Sequence, residues 1–494
     1  MKKDKRIKKD STRSHFFYNL VYQLINTVSP LIVTPKLSRV FGVDYLGIKS
    51  FTFSIVYYFA VFGVLGLDMY GQRSIALVRD KINDRSEVFW TIFCSKLFLC
   101  SCSLIIYLIV INIIAISSFE KIIFYCWTIY LIREMINPAW FLQGMGKYRQ
   151  LSLLGMTSQI VYVICSFLFI DRKELLPLYV VFFTFIPLII SISYFPIVAR
   201  SIIRIKIGKN GILKSIRASV IYFIPTVAIA IYSMVDKTML GFFDITKQNT
   251  GLYESAEKLV KVALALSTAS FTIMRTRMSY LFANADKTKY EQTAKMFISF
   301  SMMLCWPIMF GIIGIAKDFV PLFFGGGFEK VVYLSYIFSM VIPCLTISGL
   351  LQAIYIFPYG LQKIMNGYYM IIVTINILMN FLLISILNTE GAVIASILAE
   401  MLLGLILFIK ARKEIDVLYI IKSSTKYLFA SIGMFFVIIY ISNTIDTKLL
   451  YKVIIEFLIG IITYFLFCLL LKDSFIIDQL KTLLSKSKSN RGDT

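Results

Sequence analysis

The residues of this chain that could do chemistry are charged side chains set inside long apolar runs. An ionisable group at mid-membrane costs at least about 2.5 kcal/mol on insertion scales, so it faces a hydrated cavity or a partner rather than acyl chains. In the first run Asn19, Tyr22, Gln23, Asn26, Ser29 and Lys36 recur at three- to four-residue steps and form one helical stripe, with Arg39 just beyond. The run YFIPTVAIAIYSMVDKTMLG sets Thr226, Ser233 and Lys237 on one face and brings Tyr232 and Asp236 beside it. A further run carries Arg133, Asn137 and Trp140 at helical spacing, with Glu134 adjacent. Arg and Lys supply charge and hydrogen-bond donors without releasing a proton, so a cavity lined by separated cations suits a phosphate-bearing head group crossing lipid. For Lys36 and Arg39 the alternative is snorkelling of the long side chain to the interface.

The substrate cavity is therefore expected to use Lys36, Arg39, Arg133, Asn26, Asp236, Lys237 and Tyr232. Coupling or gating is assigned to Glu134, Glu254, Glu257, Lys258 and Glu400. Glu254 and Glu257 each stand four residues before a lysine, Lys258 and Lys261, so simple neutralisation near a helix end is the competing reading. Lys96 and Glu400 are lone charges that either meet substrate or pair with another helix. No catalytic residue is assigned. The eight cysteines lie in apolar runs without CxxC spacing and His15 is the only histidine, so no disulfide framework, metal site or cofactor is expected. No GxxxxGK[ST] loop occurs, which leaves an ion gradient, the membrane potential or the substrate gradient as the energy source.

Only membrane helices can position such charges in this composition. Of 494 residues 58% are hydrophobic and 16% charged, with a mean hydropathy of +0.78, outside soluble usage. Apolar runs of about 20 residues each suffice to cross a hydrocarbon core about 30 Å thick. Spans are predicted over 16–40, 46–67, 88–111, 119–140, 152–170 and 175–199, then 218–241, 253–274, 296–316, 331–357, 366–386 and 391–409, with two more at 426–443 and 452–471. The basic MKKDKRIKKDSTR precedes the first, which is read as a retained helix without a cleavage site. With the amino terminus inside, most of the 51 Lys and Arg fall on the inner side, as cytoplasmic loops require. Both termini are then cytoplasmic. The net charge of +23 is spread over the turns between spans, which argues against a nucleic-acid partner.

The expected fold class is all-α integral membrane, with about fourteen helices in two pseudo-symmetric six-helix lobes plus two carboxy-terminal helices. Its divisions are a basic amino terminus 1–15, a first lobe 16–217 including a basic loop, a second lobe 218–410, and 411–494 with the last two spans and a basic tail. Gly42 followed by YLGIKSF matches Gly241 followed by TGLYESA, each joining the first two helices of a six-span unit. Paired repeats with Pro-interrupted helices are a common construction of secondary transporters.

The segments PKLSRVFGVDYLGIKSF, GLDMYGQRSIALVRD, INPAWFLQGMGKYR, FIPTVAIAIYSMVDKTMLG with GLYESAEKLVK, and PLFFGGGFEK together resemble the polysaccharide-transporter (Wzx-like) flippases of the multidrug/oligosaccharidyl-lipid/polysaccharide exporter superfamily, over roughly residues 16–410. The resemblance implies alternating access in a two-lobed bundle that carries undecaprenyl-diphosphate-linked repeat units for capsule, exopolysaccharide or O-antigen across a bacterial plasma membrane. It implies polysaccharide polymerase or assembly proteins as partners. Lys36 and Arg39 in PKLSR and Asp236 and Lys237 in DKTMLG carry the family's site, whereas Arg133 rests on the cavity argument alone. In IMRTRMS this chain has Thr276 where the family often has proline, which leaves the shape of that helix end open. A drug or cation antiporter of the same superfamily would share the bundle but favour acidic residues and an apolar pocket. An envelope polymerase or ligase would carry a long outer loop with Arg and His, whereas the longest outer turn here is 317–330.

Overall fold

A computed structural model describes residues 2–114, 117–473 and 475–478, with the side chains of 2–20, 22–24, 27 and 266 excepted. His15, Asn19, Tyr22 and Gln23 thus lie outside the described side chains, and the basic tail from 479 lies outside the described residues. The first helices are α1 (Lys2–Val64), α2 (Leu67–Val78), α3 (Ile82–Ile113), α4 (Ser118–Ile136), α5 (Ala139–Gly144) and α6 (Tyr148–Phe169). They are followed by α7 (Leu176–Ser193), α8 (Phe195–Ala199), α9 (Lys209–Phe243), α10 (Gln248–Ala283) and α11 (Lys287–Phe324). The remainder are α12 (Glu329–Ser339), α13 (Val341–Leu351), α14 (Gln362–Leu387), α15 (Thr389–Ala411), α16 (Val417–Thr444) and α17 (Leu449–Leu470). No strand occurs among the described residues.

Each of the fourteen predicted spans falls on helix. Among the described residues eleven stretches are long and apolar enough to cross a membrane, twelve if α10, bent by 43° between Ala265 and Ser267, is included. That count joins Val28–Val78 into one stretch, yet the 63 residues of α1 would be about 95 Å long as one straight helix. The chain resolves this at Gly42, whose φ of 67° and ψ of −177° leave helical geometry inside the turn predicted between the first two spans. α4 carries Glu120, Lys121, Arg133 and Glu134 in 19 residues and is too charged to count on composition alone. Its first turn is closed by a capping box, with Glu120 N–H donating to Ser117 Oγ and Ser117 N–H to the Glu120 carboxylate. Ser117→Ala is therefore expected to cost about 1 kcal/mol of stability, read as a small fall in melting temperature.

Several predicted spans are not continuous: 46–67 is broken at Leu65–Gly66 and 175–199 at Tyr194, and two others are interrupted further inside. Span 119–140 stops at Asn137 (ψ 113°) and restarts at α5, because Pro138 lacks an N–H and pushes the residue before it out of the helical region. Span 331–357 is divided into α12, α13 and a π-helical turn at Gln352–Ile356.

The described chain forms two compact units, Met1–Gly251 and Leu252–Thr494. The expected lobe boundary at 217/218 lies one long helix earlier. α9, expected to open the second lobe, packs in the first unit on α1, α2 and α3. Small residues permit that approach: Gly241 lies so close to the Phe51 ring that a Cβ there would be 2.0 Å from it. Hydroxyls then lock it, with Ser95 and Ser215 bonded at 2.7 Å and Thr238 donating to Ser54 at 2.8 Å.

In the first unit α1 also packs on α3, α4 and α6, and α4 on α7. Trp127 Nε1 donates to Thr52 Oγ1 at 3.0 Å between α4 and α1. Beneath the α4–α5 break, Leu67, Ile75, Phe89, Trp140 and Phe141 form a closed core in which Phe89 stacks on Trp140 at 5.6 Å. In the second unit α11 packs on α12, α13, α16 and α17, and α15 on α12, α13 and α14. Both units turn large apolar side chains outward, Phe98, Ile113 and Ile221 in one and Phe429 and Leu470 in the other, while serines and threonines collect inside. Lipid as solvent explains this: helix association gains little from burying Leu or Phe, and close packing with satisfied hydroxyls decides it.

Candidate binding cavity

A cavity of about 220 Å³ lies inside the first unit, where the broken end of α4 leaves space against α6 and α7. Its wall carries Arg133, Asn137, Gln143, Tyr148, Ser152 and Gln159, with Ser191 on α7 and Tyr194 just beyond its end lying opposite. Arg133 sits in the last turn of α4, where a cation also complements the helix dipole. Its guanidinium pairs with Glu134 and lies 4.8 Å from the centroid of the Tyr130 ring. The two charged side chains are 23% and 14% exposed, so the pair is held at the cavity rather than in open solvent. A guanidinium has five donors, and its neutralised charge favours loose, reversible binding of an anionic or hydroxylated group over a tight clamp.

Lys96 is the support for this wall. It is 0% exposed on α3, and its ammonium pairs with Asp68 Oδ1 at 2.7 Å and donates to the Asn137 carbonyl at 3.2 Å. That carbonyl is one left without a helical partner by the α4 break, and Asp68 lies in the first turn of α2 beyond the Leu65–Gly66 break. One lysine therefore joins two interrupted helices. The alternative in which Lys96 pairs with another helix is the one observed.

The other expected cavity residues do not line this space. Lys36 donates to the Phe167 carbonyl near the end of α6 and sits 5.4 Å from the Phe167 ring. Arg39 is exposed and donates to the Pro35 carbonyl at 2.9 Å. Asn26 is half-buried on α1. On α9, Asp236 is buried near Tyr58 of α1, whereas Tyr232 and Lys237 are half-buried.

In the second unit Glu254 meets Lys258 at 3.8 Å and Glu257 meets Lys261 at 2.6 Å, the i,i+4 geometry of the neutralising reading. Glu400 is buried on α15 within electrostatic reach of Tyr369 and Cys344. Tyr369 donates to Gln352 Oε1 at 3.2 Å, Arg275 reaches the same oxygen at 3.5 Å, and Arg275 lies over the Phe357 ring. Gln352 opens the π-helical turn, a distortion frequent at functional positions.

Sequence reasoning missed Asp68, Gln143, Gln159, Tyr148, Gln352 and Tyr369. For α6 a signal existed: Tyr148, Ser152, Gly155 and Gln159 recur at steps of four, three and four. Nothing local marks Asp68. Among the described residues no group of three or more His, Cys, Asp or Glu side chains could hold a metal ion.

Solved structures show the same all-helical, multi-pass fold. The lipid II flippase MurJ in an inward closed conformation matches with a TM-score of 0.70 at 17% identity, over 92% of this chain and 100% of that one. An inward-facing multidrug resistance MATE family transporter of the MOP superfamily matches with a TM-score of 0.61 at 13% identity, over 80% of this chain and 95% of that one. The chain belongs to the polysaccharide biosynthesis protein family, whose sequence model matches residues 13–274. Similar proteins include a candidate O-antigen transporter of Escherichia coli (strain K12), 25% identical over 234 residues, 47% of this chain. A candidate low-salt glycan biosynthesis flippase of Haloferax volcanii is 24% identical over 174 residues, 34% of this chain. The matched stretches span 56% and 35% of those relatives' own lengths.

Proposed function

We propose that this protein is a flippase that moves undecaprenyl-diphosphate-linked oligosaccharide repeat units from the cytoplasmic to the outer leaflet of a bacterial plasma membrane, by alternating access, for capsule, exopolysaccharide or O-antigen. Family membership and the glycan-transport names of its relatives support the class of cargo. The observation that carries the reading is the Arg133 cavity, whose guanidinium, amides, hydroxyls and tyrosines replace the water lost by sugar hydroxyls or a phosphate. At about 220 Å³ it is smaller than sites that enclose drug-sized ligands, and it takes one ring or head group of a longer cargo. Lys36, Arg39, Asn26, Tyr232, Asp236 and Lys237 serve the same cargo at other points of its path. The excess of Lys and Arg in alternate loops supports a cytoplasmic position for both termini. Envelope polymerase and assembly proteins take up the flipped product, and the protein itself carries out no covalent step.

Deleting the gene in its host tests this. Lipid-linked repeat units should accumulate on the cytoplasmic leaflet, be cleared by the wild-type gene and be cleared poorly by Lys237→Ala. Arg133→Gln should lower the flipping rate about 10- to 100-fold, the loss expected when a charge-assisted hydrogen bond worth about 1.5–3 kcal/mol is removed. Normal surface glycan in the deletion strain, in the absence of a second flippase, would remove the proposal.

A further inference from the structure

At the shared end of α11, α16 and α17, three charged groups are buried with an imbalance that nothing in the carrier reading uses. Lys452 Nζ lies 3.0 Å from Asp318 Oδ1, and Ser442 donates to Asp318 Oδ2 at 2.6 Å. One turn along α17 from Lys452 stands Glu456, 0% exposed, with its carboxyl in contact with that of Asp318. Ser442 has one hydroxyl proton and gives it to Asp318, so neither Glu456 oxygen receives a hydrogen bond from the described residues. Tyr336 of α12 faces Asp318, and α16 contributes Ser442 to the cluster. Two carboxylates against one ammonium leave one uncompensated negative charge in a buried site, and adjacent carboxylates cannot both stay ionised there.

We propose that Asp318 and Glu456 share one proton, which makes this cluster a proton-binding latch between α11, α16 and α17. The proton comes from solvent and resides on Glu456, whose O–H donates to Asp318. Asp318 stays ionised against Lys452, and the cluster becomes neutral with its acceptors filled. No covalent bond other than the O–H forms or breaks. At neutral pH the native protein then holds a proton that an unfolded glutamate has already lost, so stability must fall as pH rises. In the orientation set by the loop charges this end faces outward, where the latch would sense external pH. The inference does not depend on the cargo, and its readouts do not involve transport.

The test uses the full-length protein in lipid nanodiscs. Infrared difference spectra at pH 7 should show a protonated carboxyl C=O band in the wild type that is missing from E456Q. The same band should be missing from D318N, because Glu456 can then ionise against Lys452 without a proton. The wild-type melting temperature should fall by about 3 °C or more between pH 6 and pH 9, and that of E456Q should stay level. If E456Q does not fold, D318N carries the test alone. A band that persists in the variants, or equal pH dependence in all three proteins, overturns the shared proton. A melting temperature that responds at fixed pH to replacing sodium by choline, in the wild type and not in E456Q or D318N, also overturns it by assigning the site to a metal cation.

Discussion

Asp68→Asn is expected to lower the melting temperature of the purified protein by about 10 °C, the largest effect of any single polar substitution considered. Lys96 would remain fully buried on α3 with no counter-charge, and breaking a buried pair costs about 3–5 kcal/mol. The reciprocal change separates this account from a general loss of packing. Lys96→Met should cost less, about 3 kcal/mol, because Asp68 is 36% exposed and can recover water when its partner is gone. The double variant Lys96→Met with Asp68→Leu should recover much of the loss, since apolar replacement of both partners removes the stranded charge. The Asn137 carbonyl loses its donor in every variant that lacks Lys96, so the wall carrying Arg133 should loosen and the proposed flipping should fall even where stability returns. Thermal melting of the three variants in the same detergent checks the order. Equal losses for the two single variants would show that the ion pair is not what holds the two broken helices.

The second large effect is steric. A Cβ on Gly47 would lie 1.9 Å from the Lys247 carbonyl oxygen and 3.1 Å from the Gly251 nitrogen, while one on Gly251 would lie 2.2 Å from the Val43 carbonyl oxygen. Two backbones touch here, and backbone cannot turn aside as the tip of a side chain can. Gly47→Ala and Gly251→Ala should each cost at least about 3 kcal/mol and sharply reduce the yield of folded protein. Gly367→Ala on α14 is the matched control. It has nothing within 4 Å of its Cβ position, so it should gain up to about 1 kcal/mol from helix propensity. Size-exclusion yield and melting temperature read all three, and wild-type behaviour of Gly47→Ala would refute the close approach.

These glycines also show how a correct sequence observation can carry a different meaning in three dimensions. The paired offsets Gly42/Gly241 and Gly47/Gly251 suggest an internal repeat, yet in the fold Gly47 and Gly251 meet each other and Gly241 receives the Phe51 ring. The all-helical membrane fold, the turn at Gly42 and the i,i+4 pairing of Glu254 with Lys258 and of Glu257 with Lys261 were legible. The interruption at Asn137–Pro138 was written in the sequence as proline, but hydropathy averages over such a point. The α6 stripe of Tyr148, Ser152, Gly155 and Gln159 was legible by spacing and went unread beside the louder signal of the charges.

The sequence by itself determined that lipid is the solvent, where the helices run, and which family the chain resembles, because transfer free energies and segment patterns are properties of consecutive residues. Tertiary structure alone decided which distant charges are spoken for: Lys96 by Asp68, and Asp318 by Lys452 with Glu456 beside it. The same geometry gave the seventh span to the first compact unit. Such pairings depend on the rotation of each helix about its axis and on where it crosses a neighbour distant in the chain, and a string of residues carries neither quantity.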